Sequence, residues 1–173
     1  STLKSFEIPD NITTVPNDTF RDCSNLSNVK ISEKTKSIGQ YAFANCTSLS
    51  NVDIPSTVTS IGSYVFSGCS KLNNVIIPEG ITVINQYAFA NCKSLYNISV
   101  PDTITTISDY AFSNTNLESF KMSNNVTKLG KYAFSNCVNL KKVTISTNEK
   151  MLVLDNGVFA NCTSLDNLVI PEN

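Results

Sequence analysis

Along this chain, apolar and polar residues alternate for a few positions, stop at a turn, alternate again, and close on an aromatic block. Val52-Asp53-Ile54 and Val143-Thr144-Ile145 show the first alternation, whose period of two is that of a strand with one face buried. Val58-Thr59-Ser60-Ile61 and Ile104-Thr105-Thr106-Ile107 show the second. Between the two runs stands Pro9, Pro55, Pro78, Pro101 or Pro171, with Ser32, Ser123 and Ser146 in the same place elsewhere. Proline lacks an N–H and so ends a ladder, and its fixed φ opens a turn such as Ile77-Pro78-Glu79-Gly80. After the second run comes Gly39, Gly62 or Gly130, but also Asn85, Ser108 and Pro16. Because proline cannot take positive φ, that place does not require a left-handed residue. The block Y-A-F-x-N-C then predicts one tight helical or 3₁₀ turn with Phe and Cys inward, since six residues are too few for a free-standing helix.

The pattern recurs down the whole chain. Its leading leucines are Leu3, Leu26, Leu49, Leu72, Leu95, Leu117, Leu140 and Leu165, at spacings of 23, 23, 23, 23, 22, 23 and 25. A phenylalanine keeps step at Phe20, Phe43, Phe66, Phe89, Phe112, Phe134 and Phe159. A fixed period in the twenties is the mark of a stacked array in which each unit buries its apolar side only against its neighbours. The expected fold is a mainly β, right-handed parallel β-solenoid with short strands, spanning 1–173 as a single domain of about seven repeats plus a final strand.

The consensus L-x-x-V-x-I-P-x-x-V-T-x-I-G-x-Y-A-F-x-N-C resembles the BspA-like subclass of leucine-rich repeats, with 23-residue repeats of the Treponema pallidum type. The resemblance covers the whole chain. It departs locally: Thr115 stands where Cys is expected in a unit one residue short, two extra residues fall around Thr147 to Leu152, and Asp18-Thr19 replaces Tyr-Ala. The resemblance implies a cell-surface or secreted protein that adheres to host or matrix proteins, with a first sheet that lines a concave face. It supplies no catalytic residue.

Composition narrows the functional classes. The 173 residues carry a net charge of −1, and no motif for nucleic-acid recognition is present. No apolar run approaches the roughly 18 residues of a membrane span. Histidine is absent, and no metal-ligand cluster or phosphate loop appears, so neither enzyme chemistry nor a cofactor is expected. The start without methionine and the end at Ile170-Pro171-Glu172-Asn173 predict a piece of a longer or processed protein. Neither end reads as a polar cap, which leaves homo-association through the terminal rungs as a structural alternative.

Most recurring residues read as scaffold. Cys23, Cys46, Cys69, Cys92, Cys137 and Cys162 follow the period without a C-x-x-C pair, so a core column of small apolar side chains is expected, with oxidation between neighbouring rungs as the lesser alternative. Tyr41, Tyr64, Tyr87, Tyr110 and Tyr132 form a packed stripe with wetted hydroxyls, favoured over a carbohydrate-stacking surface. Asn28, Asn51, Asn74 and Asn97 are positioned for stacked amides, and Thr59, Thr82, Thr105 and Thr127 for β-branched packing. Seven N-x-S/T sequons, at Asn11, Asn17, Asn25, Asn45, Asn97, Asn125 and Asn161, are too near chance in so Asn-, Ser- and Thr-rich a chain to argue for secretion.

The outward places on the first strand keep no residue type. One column reads Glu7, Lys30, Asp53, Ile76, Ser99, Lys121, Thr144, Val169, and the column after the leading Leu reads Lys4, Ser27, Ser50, Asn73, Tyr96, Glu118, Lys141, Asp166. Positions released from the core are where a repeat protein writes specificity, so the expected partner site is Asp53, Ile76, Tyr96, Ser99, Glu118, Lys121, Lys141 and Thr144. Lys121, Lys128, Lys131, Lys141, Lys142 and Lys150 crowd the last units against Glu118 and Glu149. They could steer an acidic protein or sulfated glycan, although a solvated face is the simpler reading. The functional expectation is a non-catalytic module binding a protein ligand at the cell surface. An intracellular scaffold is the runner-up, since unpaired core cysteines suit a reducing compartment.

Overall fold

The computed structural model describes residues 2–145 and 152–169. They form a stack of parallel two-strand rungs. The first strand of each rung lines one side of the stack, in three paired segments: β1 (Ser5–Glu7) with β3 (Asn28–Lys30), β6 (Asn74–Ile76) with β8 (Asn97–Ser99), and β10 (Ser119–Lys121), β12 (Lys142–Thr144) and β14 (Asn167–Val169). The third rung joins through single bridges only, Lys30 to Asp53 and Asn51 to Asn74. The second strand builds the other sheet, with β2 (Thr14–Val15), β4 (Ser37–Ile38) and β5 (Ser60–Ile61) in one segment. Its second segment holds β7 (Val83–Ile84), β9 (Thr106–Ile107), β11 (Lys128–Leu129) and β13 (Val153–Leu154). Every pairing is parallel and in repeat register, as in Phe6 to Val29 and Ile84 to Ile107. The parallel β-solenoid expected from the period is therefore the fold.

The core is the set of positions that repeat. Leu26, Leu49, Leu72, Leu95, Leu117 and Leu140 are buried, as are Ile38, Ile61, Ile84, Ile107 and Leu129 behind the second sheet. Phe20 to Phe159 stack rung upon rung with ring centroids 5.2 to 5.6 Å apart. Such offset ring contacts add stabilisation beyond the area they bury. Tyr41, Tyr64, Tyr87, Tyr110 and Tyr132 make a second stack at 4.5 to 5.2 Å, which begins under the Arg21 guanidinium. Burial falls away at the ends, where Phe6 and Leu154 are exposed.

The Y-A-F-x-N-C block is not the expected helical or 3₁₀ turn. Tyr41 and Asn45 both lie at positive φ, 56° and 58°, and their equivalents repeat this up the stack. Successive N–H groups therefore point alternately along the stack and within the turn. Tyr41, Phe43 and Asn45 donate to Ser63, Val65 and Ser67 of the next rung, while Ala42, Ala44 and Cys46 donate to Gly39, Tyr41 and Phe43 of their own. The reversal thus bonds rung to rung, as a sheet does, and a helix would have kept those donors internal. Gly39, Gly62 and Gly130 lack positive φ, as expected; a Cβ on Gly62 would lie 2.4 Å from the Gln40 backbone nitrogen, so close approach of rungs favours glycine there.

The cysteines hold the expected core column as free thiols. Each of Cys46, Cys69, Cys92, Cys137 and Cys162 donates through sulfur to a phenylalanine carbonyl of an earlier rung at 3.1 to 3.2 Å. Burial pushes the Cys46 thiol up to about 12 and raises Cys69 and Cys92 as well. Cys162 is raised by contact with Cys137 and by burial. The stacked amides lie mainly in another column than expected. Asn97 does donate to Asn74, at 3.2 Å, but the recurring ladder runs through the turn, Asn45 to Asp22, Asn114 to Asn91 and Asn161 to Asn136. Ser146, Glu149, Lys150, Pro171 and most of the two-residue insertion lie outside the described residues.

Candidate binding face

Inside the stack, a first strand turns three positions to the solvent and two to the core. In the second rung Ser27, Asn28 and Lys30 face out while Val29 and Ile31 are buried. The alternation follows from a strand laid on a core one side-chain layer deep. All eight expected partner residues lie on this face: Asp53, Ile76, Tyr96, Ser99, Glu118, Lys121 and Lys141 are exposed, and Thr144 is half-buried. Ile76 is in register with Ser99, and Lys121 with Thr144. Tyr96 and Lys141 donate their backbone N–H groups to Asn73 and Glu118 one rung back.

The face has three characters along its length. Toward β1, Lys30 Nζ donates to Glu7 Oε1 at 2.5 Å and lies in register with Asp53, so the charges answer one another. This is the cross-strand pairing expected for Lys30. The middle is apolar: Ile76 is 63% and Tyr96 54% exposed, the largest exposures among the described large hydrophobic side chains. Beyond them Lys121, Lys141 and Lys142 share the face, while Lys128 lies on the second sheet. Lys141 stands 3.9 Å from Glu118.

Between the apolar and basic parts the first sheet is split. Strands β6 and β8 form one segment and β10, β12 and β14 another, whereas β9 and β11 of the same two rungs stay paired. The break coincides with the missing residue. In other units Leu donates to the Cys three residues earlier, as Leu95 does to Cys92, but Leu117 follows Thr115 by two. That connecting turn cannot form, and Thr115 turns its hydroxyl to its own Phe112 carbonyl at 2.9 Å. Ile98 and Val100, beside the gap, are only partly buried. A cleft of about 570 Å³ opens there, lined by Glu79, Asn97, Ser99, Asp102, Lys121 and Ser123 among others. The short unit was visible in the sequence; its effect on the sheet was not.

Among the described residues no cluster of three or more His, Cys, Asp or Glu side chains could hold a metal ion, and no helix is long and apolar enough to cross a membrane. The family model described as BspA type leucine rich repeat region, in six copies, matches residues 1–102 and 82–173. The chain belongs to the BspA-type leucine-rich-repeat family. Among solved structures, a leucine rich cell surface protein of Faecalibacterium prausnitzii is 35% identical with a TM-score of 0.80, over 84% of this chain and 40% of that one. A leucine-rich repeat protein of Bacteroides ovatus is 24% identical, TM-score 0.60, over 94% of this chain and 54% of that one. The Treponema pallidum leucine rich repeat protein is 21% identical, TM-score 0.67, over 95% of this chain and 79% of that one. The latter two share the BspA-type fold. This chain thus spans about half the length or less of the first two proteins. No curated protein matches it.

Proposed function

We propose that this BspA-type segment is a non-catalytic binding module of a cell-surface or secreted protein, and that its first-sheet face grips a host or matrix protein. The observation that carries this reading is the contrast on one rigid scaffold between repeating inward residues and aperiodic outward ones, with Ile76 and Tyr96 exposed at the centre of the face. Exposed apolar anchors ringed by polar residues are the usual make-up of a protein contact. The Faecalibacterium relative is described as a cell surface protein, which supports the location. Binding would rest on many modest contacts to a preorganised surface, with a few central residues dominating. The test is binding to an array of immobilised matrix proteins by the wild type, a Tyr96→Ala/Lys121→Ala variant and a Lys71→Ala control. Loss in the first variant alone supports the face; equal binding by all three would refute it.

A second reading, an intracellular scaffold of the same fold, is favoured by the six free thiols. Labelling intact cells with an impermeant reagent separates the two. Labelling without permeabilisation supports the surface protein, and labelling only after permeabilisation the scaffold.

A further inference from the structure

We infer that the partner segment is an extended, acidic stretch of polypeptide with large apolar side chains, laid along the stack so that the apolar groups meet Ile76 and Tyr96 and its carboxylates meet Lys121 and Lys142. The inference rests on the first sheet being the protein-binding face and adds the chemistry and direction of the occupant.

Three observations fix that direction. At the β1 end Lys30 is taken up by Glu7 and lies beside a second carboxylate, Asp53, so these three groups leave a net negative charge that turns an incoming carboxylate away. The centre offers apolar surface: toward β8 Ile76 faces Ser99 and Asn74 faces Asn97. On the β1 side the bridge of Asn51 to Asn74 sets Asp53 beside Ile76, where it repels a carboxylate and leaves the β12 side for the acidic residues. At the far end Lys121 and Lys142 have no ion-pair partner among the described residues, and Lys141 is shared with Glu118. Paired strands are about 4.8 Å apart and the split beside β10 widens one step, so Lys121, two rungs from Ile76, lies at least roughly 10 Å along the stack, the span of three or more extended residues. Glu79 and Asp102, on the turn side of the cleft, repel a carboxylate and direct it toward β12, where Lys142 waits. A sulfated glycan would find the lysines but has no use for the apolar centre, so polypeptide is the better occupant.

The test is to pan a displayed library of linear peptides against the purified protein and measure the enriched peptides by fluorescence anisotropy at low and high salt. The expected peptides place an aromatic or long aliphatic residue three to five positions from a pair of acidic ones. Tyr96→Ala should weaken them by about tenfold, and Lys121→Glu/Lys142→Glu by more, with marked weakening at high salt. Lys30→Glu should change nothing. All these residues are exposed, and circular dichroism would confirm that each variant is folded. Peptides that respond to Tyr96→Ala but show no acidic preference would overturn this inference and leave the binding face standing. Peptides indifferent to every first-sheet substitution would overturn both. Heparin binding lost with the lysines and untouched by Tyr96→Ala, without acidic peptides, would replace the polypeptide by a glycan.

Discussion

The turn column and the first sheet are built by the same repeat, yet they use it in opposite ways. In the turn, Phe, Cys, Tyr and Asn recur because each stacks on or bonds to its own equivalent a rung away, so a change in one unit is felt in two others. On the outer face of the sheet, backbone bonds recur from rung to rung while side-chain contacts such as Lys30 with Glu7 are occasional, and the side chain can be lysine, isoleucine or serine without disturbing the stack. Identity is demanded where like meets like. Freedom remains where the backbone alone carries the load, and function has room only there.

The contrast can be broken from the turn side first. Phe89→Ala removes a fully buried ring from between Phe66 and Phe112 and should cost about 3–5 kcal/mol in urea unfolding. Raising the pH attacks the same column. Cys46, Cys69 and Cys92 have folded pKa values above their ordinary 9.0, so the native state holds these three protons more tightly than the unfolded chain does. The resulting stability is complete below pH 9 and lost as pH rises from 9 through the folded values, about 12 for Cys46. Each of Cys69 and Cys92 adds at most about 1.4 kcal/mol per pH unit to the fall. Stability that stayed flat from pH 8 to 11 would contradict the buried thiol column.

Asn91→Val should cost about 1–2 kcal/mol, because a β-branched residue is forced to positive φ and the Asn114 amide loses its acceptor. Asn91→Gly should recover most of the backbone part, and equal losses in both variants would locate the effect in the amide ladder. The smallest effect should come from Tyr96→Ala, within about 0.5 kcal/mol of wild type by the same unfolding measurement. A large loss there would mean that the face is structural after all.

Much of this was legible because a repeat states each constraint many times over. Seven phenylalanines in step announce a core column as no single one could, and the two strand runs show their period of two directly. What escaped was the backbone of the turn. Asp22, Asn45, Gly68, Asn91, Asn114, Asn136 and Asn161 occupy one column, and Asp, Asn and Gly are the residues that tolerate positive φ. That signal was in plain sight. The positive φ at Tyr41 and its equivalents had no such marker, since tyrosine seldom adopts it and only Asp18 and Gly157 in the same column hint at it. The face residues could be grouped by column, but the split beside β10 depends on how a shortened connector is absorbed in space, which spacing alone does not say.

The direction of the turn's hydrogen bonds has a consequence in time. Phe43 donates forward to Val65, whereas Gly39 of the same rung donates back to Val15. During synthesis, a newly emerged second strand can settle at once on the rung already made, while its turn must wait for the chain still to come. Growth should therefore proceed by a lag of one rung, the newest corner always half-finished. Nascent chains arrested at successive lengths should gain protease resistance in steps of one repeat, each step securing the corner before it; smooth, residue-by-residue protection would show that the corners set without their successors.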